Sequence, residues 1–178
     1  KFVLNELGIS LKAERNMARQ ARFIRIGLPG KDRILSLAEV QVWHGSDNLA
    51  RKGRASQSSV DFDGPPDRAI DGNTNGDYEA AKSTTHTKTE NDPWWEVDLG
   101  EPRTLDSVVV WNRTGGEVGE RLANFRLQAL DGNRQPVWTT QVSTAPNPST
   151  TLKPDDAVVA FKRATATYSQ DGFDVVKL

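Results

Sequence analysis

The chain has 178 residues, of which 36% are hydrophobic and 26% charged, with a net charge of −1. That is enough apolar material for one packed domain, and too balanced a charge for a basic nucleic-acid or anionic-membrane surface. The sequence contains no cysteine, which excludes disulfides and thiolate metal sites, and no apolar run reaches the ~20 residues of a membrane span.

In chain order, FVLNELGISLKA (residues 2–13) places apolar residues at near-alternate positions, a strand pattern with an irregularity at Asn5–Glu6. The helix formers of AERNMARQAR offer a helix as the rival reading. RFIRIGL (22–28) reads as a strand stopped by the turn dipeptide Pro29-Gly30. In AEVQVWHG, Val40 and Val42 alternate with Glu39, Gln41 and Trp43. RASQSS (54–59) is β-compatible and precedes the breaker run DFDGPPD.

A long polar stretch from Ala69 to Leu99 follows, ending in WWEVDLG, where Trp95, Val97 and Leu99 point one way and Glu96 and Asp98 the other. LDSVVVWN (105–112) is apolar enough for a strand covered on both faces. FRLQALD and PVWTTQV flank Asp131-Gly132-Asn133, a hairpin signal. STAPNPSTTLKPDD is linker-like, and alternation returns in AVVAFKRATATYSQDGF. Short strands with frequent turns and no long amphipathic helix predict an all-β antiparallel sandwich. One internal repeat is visible, RASQSS before DFDG and RATATYS before QDGF.

The stretch 69–99 carries the chemistry, because long structured loops in compact domains are usually functional. Asp71-Gly72-Asn73 sets a carboxylate in a tight turn, with Ser83 at the far end of the loop. Oxygen donors of that kind suit a calcium ion, although the same turn also reads as a solvated Asx turn. His86, Arg113 and Arg121 combine donors and acceptors that can grip paired sugar hydroxyls if their loops converge. Of Trp94 and Trp95, one belongs in the core and one outside it, since neighbours in a strand face opposite ways. No G-x-S-x-G, no HExxH and only two histidines are present, so the expectation is a binding protein and not an enzyme.

The ordered motifs NLARKGRASQSS, AIDGNTNGDY, NDPWWEVDLG and VVVWNRT with GERL resemble the discoidin or coagulation-factor C-type superfamily, and within it the fucolectins, over about residues 22–140. The resemblance implies a jelly-roll, galactose-binding-domain-like β-sandwich with a structural Ca2+ and a shallow sugar site at one end. In that family the sugar motif is a His, 26 residues, an Arg, any residue, an Asp, four residues and a basic residue. His86 and Arg113 have 26 residues between them; the Asp position is Gly115, Arg121 falls one place late, and the family's cysteine pair is missing.

By the same resemblance the calcium ligands fall on Arg68, Asp71, Asn73 and Ser83. The remaining two lie on Ala38 and Glu39 in SLAEVQVW, a segment that closes the family domain but here precedes it, as in a circular permutation. The expected division is a sandwich over 1–145 (core 22–140), with 146–178 a linker and terminal strand that either completes the sandwich or opens a second repeat. The expected partner is a fucose- or galactose-type glycan, with no nucleic acid and no membrane insertion. The start at Lys1 and the bordering segments FVLNE and ATATYSQDGF fit a piece of a longer exported, extracellular or envelope protein with neighbouring domains. The rival expectation is an adhesion or scaffold module that keeps the calcium and has lost the sugar site.

Overall fold

The computed structural model describes residues 20–154, in two antiparallel sheets that share one apolar core. Its strands are β1 (Gln20–Gly27), β2 (Leu37–His44), β3 (Asp47–Asn48), β4 (Arg54–Gln57) and β5 (Trp94–Thr104), then β6 (Ser107–Asn112), β7 (Phe125–Leu130), β8 (Pro136–Val142) and β9 (Ser149–Leu152). One sheet runs β4-β5-β1-β7-β8 and the other β3-β2-β6-β9. The two earliest of these strands therefore lie inside the sheets, β1 between β5 and β7 and β2 between β3 and β6. Without them neither sheet is continuous.

The core follows the alternation of the sequence. Ile24 and Ile26 of β1, Val40 and Val42 of β2, Val108 and Val110 of β6, and Phe125 and Leu127 of β7 are fully buried. Trp95 is also fully buried, and its indole N–H donates to the Pro66 carbonyl at 3.0 Å. Its neighbour Trp94 faces outward under the Arg25 guanidinium, 4.3 Å from the ring centroid. Glu96, on that same outer face, is buried but bonded by both Arg25 and Arg134, which offsets the cost of desolvating its charge.

Three local readings change. β6 is covered on one face only, with Val108, Val110 and Asn112 buried and the alternate residues partly exposed. Residues 149–152 of the linker-like segment form β9, which pairs Leu152 with Val108. Glu39 keeps the side of Gln41 and Trp43 that alternation gives it, its partner on β6 being Trp111, yet it is fully buried, because the turn at Gly72 packs against it and donates its N–H to the Glu39 carboxylate. The segments 2–13 and 163–178, with their strand and repeat readings, lie outside the described residues.

The long polar stretch is folded onto one end of the sandwich. The Thr85 N–H donates to the Leu37 carbonyl at 2.8 Å, and the Thr87 N–H to the Leu35 carbonyl at 3.0 Å. In return the Thr85 and Thr87 hydroxyls accept from the Leu37 and Leu35 amides. Threonine side chains thus complete a ladder that backbone alone leaves half made, so residues 85–87 can be buried although polar.

Candidate functional site

Two adjoining sites occupy this end. The first is acidic. Asp71 ends the short 3-10 helix Pro66–Ile70, and its carboxylate accepts from the Asn73 N–H at 2.8 Å. Gly72, with φ +87°, turns its N–H onto Glu39 Oε1 at 3.1 Å, a backbone conformation that a side chain would strain. Glu39 Oε2 is buried and has no hydrogen-bond partner. Burial, and then the Asp71 charge, push the Glu39 carboxyl up to about 7 against the opposing pull of the Gly72 amide and Arg51. Ser83 is buried two residues before the Thr85–Leu37 pairing, and its hydroxyl donates to the Asn75 carbonyl.

The residues expected to hold a cation therefore come from three segments that meet: Ala38 and Glu39 from β2, Arg68, Asp71 and Asn73 from the turn, and Ser83 from the buried strip. Among the described residues no three His, Cys, Asp or Glu side chains converge as a metal cluster. A cation here would rest on two carboxylates, a hydroxyl and carbonyl oxygens. That donor set suits a hard ion such as calcium and no soft one. The orphaned Glu39 oxygen fits such an ion, because a buried carboxylate without a partner is otherwise costly.

The second site is a cavity of about 250 Å³ lined by His86, Arg113 and Arg121, with Ile34, Phe62 and Tyr78 among the other walls. His86 is held from behind by Gly64, where an added Cβ would meet the His86 amide nitrogen at 2.5 Å, so only glycine allows this approach. His86 Nδ1 lies 2.7 Å from the Thr87 carbonyl, which can only accept. Nδ1 therefore carries the hydrogen and Nε2 is left as an acceptor. Burial, and then the Arg113 charge, hold the imidazole below its ordinary pKa.

Arg113 lies over the Tyr78 ring at 4.7 Å, and its buried Nε has no hydrogen-bond partner. Arg121 is anchored through its carbonyl, which accepts from Arg33 at 2.9 Å. All three residues expected to grip hydroxyls are thus brought to one cavity. At Gly115, a Cβ would stand 3.1 Å from Asp77 Oδ1, which accepts from the Ala80 N–H at a helix start, so a side chain at 115 would crowd that cap.

Sequence reasoning missed Phe62 and Tyr78. Tyr78 opens α1 (Tyr78–Ala81), donates its hydroxyl to the Phe62 carbonyl at 2.7 Å, and stands 6.5 Å from the His86 ring. The one available signal for Phe62 was an apolar ring inside a polar breaker run.

A family model described as a NedA-like, galactose-binding domain of the F5/F8 type C group matches residues 68–170. Fucolectin-1 of Anguilla japonica is 37% identical over 101 residues, covering 54% of each chain. Fucolectin-4 of the same organism is 39% identical over 102 residues, again covering 54% of each. The chain spans about half the length of these relatives. Among solved structures, a fucose binding module of Streptococcus pneumoniae is 40% identical with a TM-score of 0.58, over 62% of this chain and 77% of that one. The lectin domain of lectinolysin complexed with Lewis B antigen is 36% identical with a TM-score of 0.58, over 61% and 77%.

Proposed function

The chain belongs to the F5/F8 type C family of NedA-like galactose-binding domains, and we propose that it is a calcium-stabilised carbohydrate-binding module for a fucose-type sugar. The carrying observation is that His86, Arg113 and Arg121 share one cavity whose remaining walls are largely apolar. Such a cavity offers hydroxyls a fixed acceptor at His86 Nε2 and guanidinium donors at Arg113 and Arg121. Ile34, Phe62 and Tyr78 offer a surface to a deoxy carbon. Its volume is below the roughly 300–1,000 Å³ of sites for drug-sized ligands, in keeping with a single sugar ring.

Calcium would be held by the Glu39 and Asp71 carboxylates, the Ser83 hydroxyl, and the carbonyls of Ala38, Arg68 and Asn73. When bound it supplies positive charge and fixed coordination to these oxygens. The residues themselves pin the turn at 71–73 to β2 through the Gly72–Glu39 bond, and so set the start of the strip that presents His86.

One small site binds weakly, so avidity within a longer exported chain would raise it. Among the described residues no helix is long and apolar enough to cross a membrane. The module works by binding and not by turnover.

Calorimetry with methyl α-L-fucoside tests the reading, with binding expected at about millimolar Kd. Silence across fucose, galactose and their derivatives at that concentration would sink it. The motif's acidic position falling on Gly115 favours the rival, a scaffold module without sugar binding. That rival gains if His86→Ala and Arg113→Ala leave binding to its partner unchanged.

A further inference from the structure

Strand β6 sends Val108, Val110 and Asn112 into the core, so Ser107, Val109 and Trp111 face the other side of the sheet. Beside it β2 runs antiparallel and pairs Glu39 with Trp111, Gln41 with Val109 and Trp43 with Ser107. Directly paired residues project to the same side, with Cβ atoms about 4.5–5.5 Å apart. Two tryptophans therefore share this face, and their indole N–H groups fare differently. That of Trp43 donates to Gln41 Oε1 at 3.3 Å. That of Trp111 is buried and, among the described residues, has no acceptor.

The side chain across from Trp111 has the complementary want. Glu39 Oε1 accepts from the Gly72 N–H, and Oε2 is buried without a partner. A buried donor and a buried acceptor are each costly alone. Here they stand on paired residues of adjoining strands, at a spacing that two long side chains can span. On its other flank Trp111 pairs with Ser149, whose neutral hydroxyl is a weaker acceptor than an ionised carboxylate. A carboxylate oxygen has two lone pairs, so Glu39 Oε2 can accept from the indole and still face a cation.

A carboxylate that binds a metal needs hydrogen bonds of its own to fix its orientation. The Gly72 amide supplies one at Oε1, and no other described residue supplies one at Oε2. We propose that the Trp111 indole N–H is the donor that positions Glu39 for the cation, so that Trp111 serves the calcium site without touching the ion. This rests on the calcium reading of the turn at 71–73.

The test begins with calorimetry, titrating calcium into the full chain after chelation has stripped it. Trp111→Phe keeps an aromatic ring and loses the N–H, and it should bind calcium about 10- to 100-fold more weakly. Trp43→Phe, on the same face and farther along β2, should stay within about twofold. Proton–nitrogen correlation spectra give a readout that packing alone would not move. The chain has five tryptophans, and the indole signal missing from Trp111→Phe identifies Trp111. In the parent chain that signal should shift downfield and exchange more slowly when calcium is added. Unchanged calcium affinity in Trp111→Phe would overturn the proposal, and so would equal losses in the two variants. Should Trp111→Phe not fold, the parent spectra still decide, since no calcium-dependent shift at any indole overturns it. If the parent chain binds calcium and the indole stays unmoved, the proposal fails while the calcium reading stands. If the parent chain binds no calcium, both fail.

Discussion

Replacing Glu39 by Gln separates a cation-binding carboxylate from one that is merely buried. Glu39 is fully buried, one of its oxygens accepts from Gly72 at 3.1 Å, and the other has no partner. With Asp71 adding repulsion, burial holds its pKa up to about 7. Near pH ~8 the group is ionised. Removing the partner of a buried charge costs about 3–5 kcal/mol. Calcium at about 100–1,000 times its Kd supplies roughly 3–4 kcal/mol, so linkage and burial give the same scale.

For a domain of this size each kcal/mol shifts Tm by about 3–5 °C, so chelation should lower the melting temperature by roughly 10–20 °C. Glu39→Gln removes the uncompensated charge along with the ligand. By differential scanning calorimetry it should melt below the parent chain in calcium and above it in EDTA. That crossing is the signature. Equal melting of the parent chain in both buffers, or a variant that is less stable in both, would refute the reasoning.

Three further predictions follow from the cavity. His86→Ala or Arg113→Ala should weaken fucoside binding by about 10- to 100-fold, the range for losing charge-assisted hydrogen bonds, with circular dichroism unchanged. A proton-exchange titration of His86 by NMR should give a midpoint below the ordinary 6.5, because burial disfavours the imidazolium. The unfolded histidine then takes up a proton before the folded one does. The His86 contribution to stability is complete above about 6.5 and is lost as the pH falls from there toward the folded pKa; a midpoint at or above 6.5 would contradict this. Gly115→Asp should lower Tm and not improve sugar affinity, since its carboxylate would crowd Asp77, and adding Asp77→Asn should restore the loss. A gain in affinity from Gly115→Asp alone would show that the place is free.

Residue chemistry alone allowed His86, Arg113 and Arg121 to form one set if their loops converged, whereas the pairing of Glu39 with Asp71 was legible only through ordered motifs that resemble a known family. Spacing by itself left Asp71 in a turn and Glu39 in a strand. Alternation set Glu39 on the same side as Gln41 and Trp43, and it stays there; the turn packed at Gly72 covers that side at Glu39 and buries it. Gly115 looked like a lost acid in the sequence. Its meaning changed once Asp77 was found 3.1 Å from the missing Cβ.

By itself, then, the sequence determined the alternating strands of the core and the division of Trp95 from Trp94, because period-two alternation is a local property of adjacent residues, while β9, in a segment that reads as linker, came only with its pairing to β6. Tertiary structure alone decided that β1 and β2 fill the sheet interiors, that buried threonines complete a ladder with residues 35–37, and that Phe62 and Tyr78 join the cavity. Those outcomes depend on which loops meet at one end of the sandwich and on a left-handed turn at Phe62. Residues 16 to 52 positions apart in the chain, from Phe62–Tyr78 to Leu35–Thr87, have no local signal that they will touch; only packing supplies it.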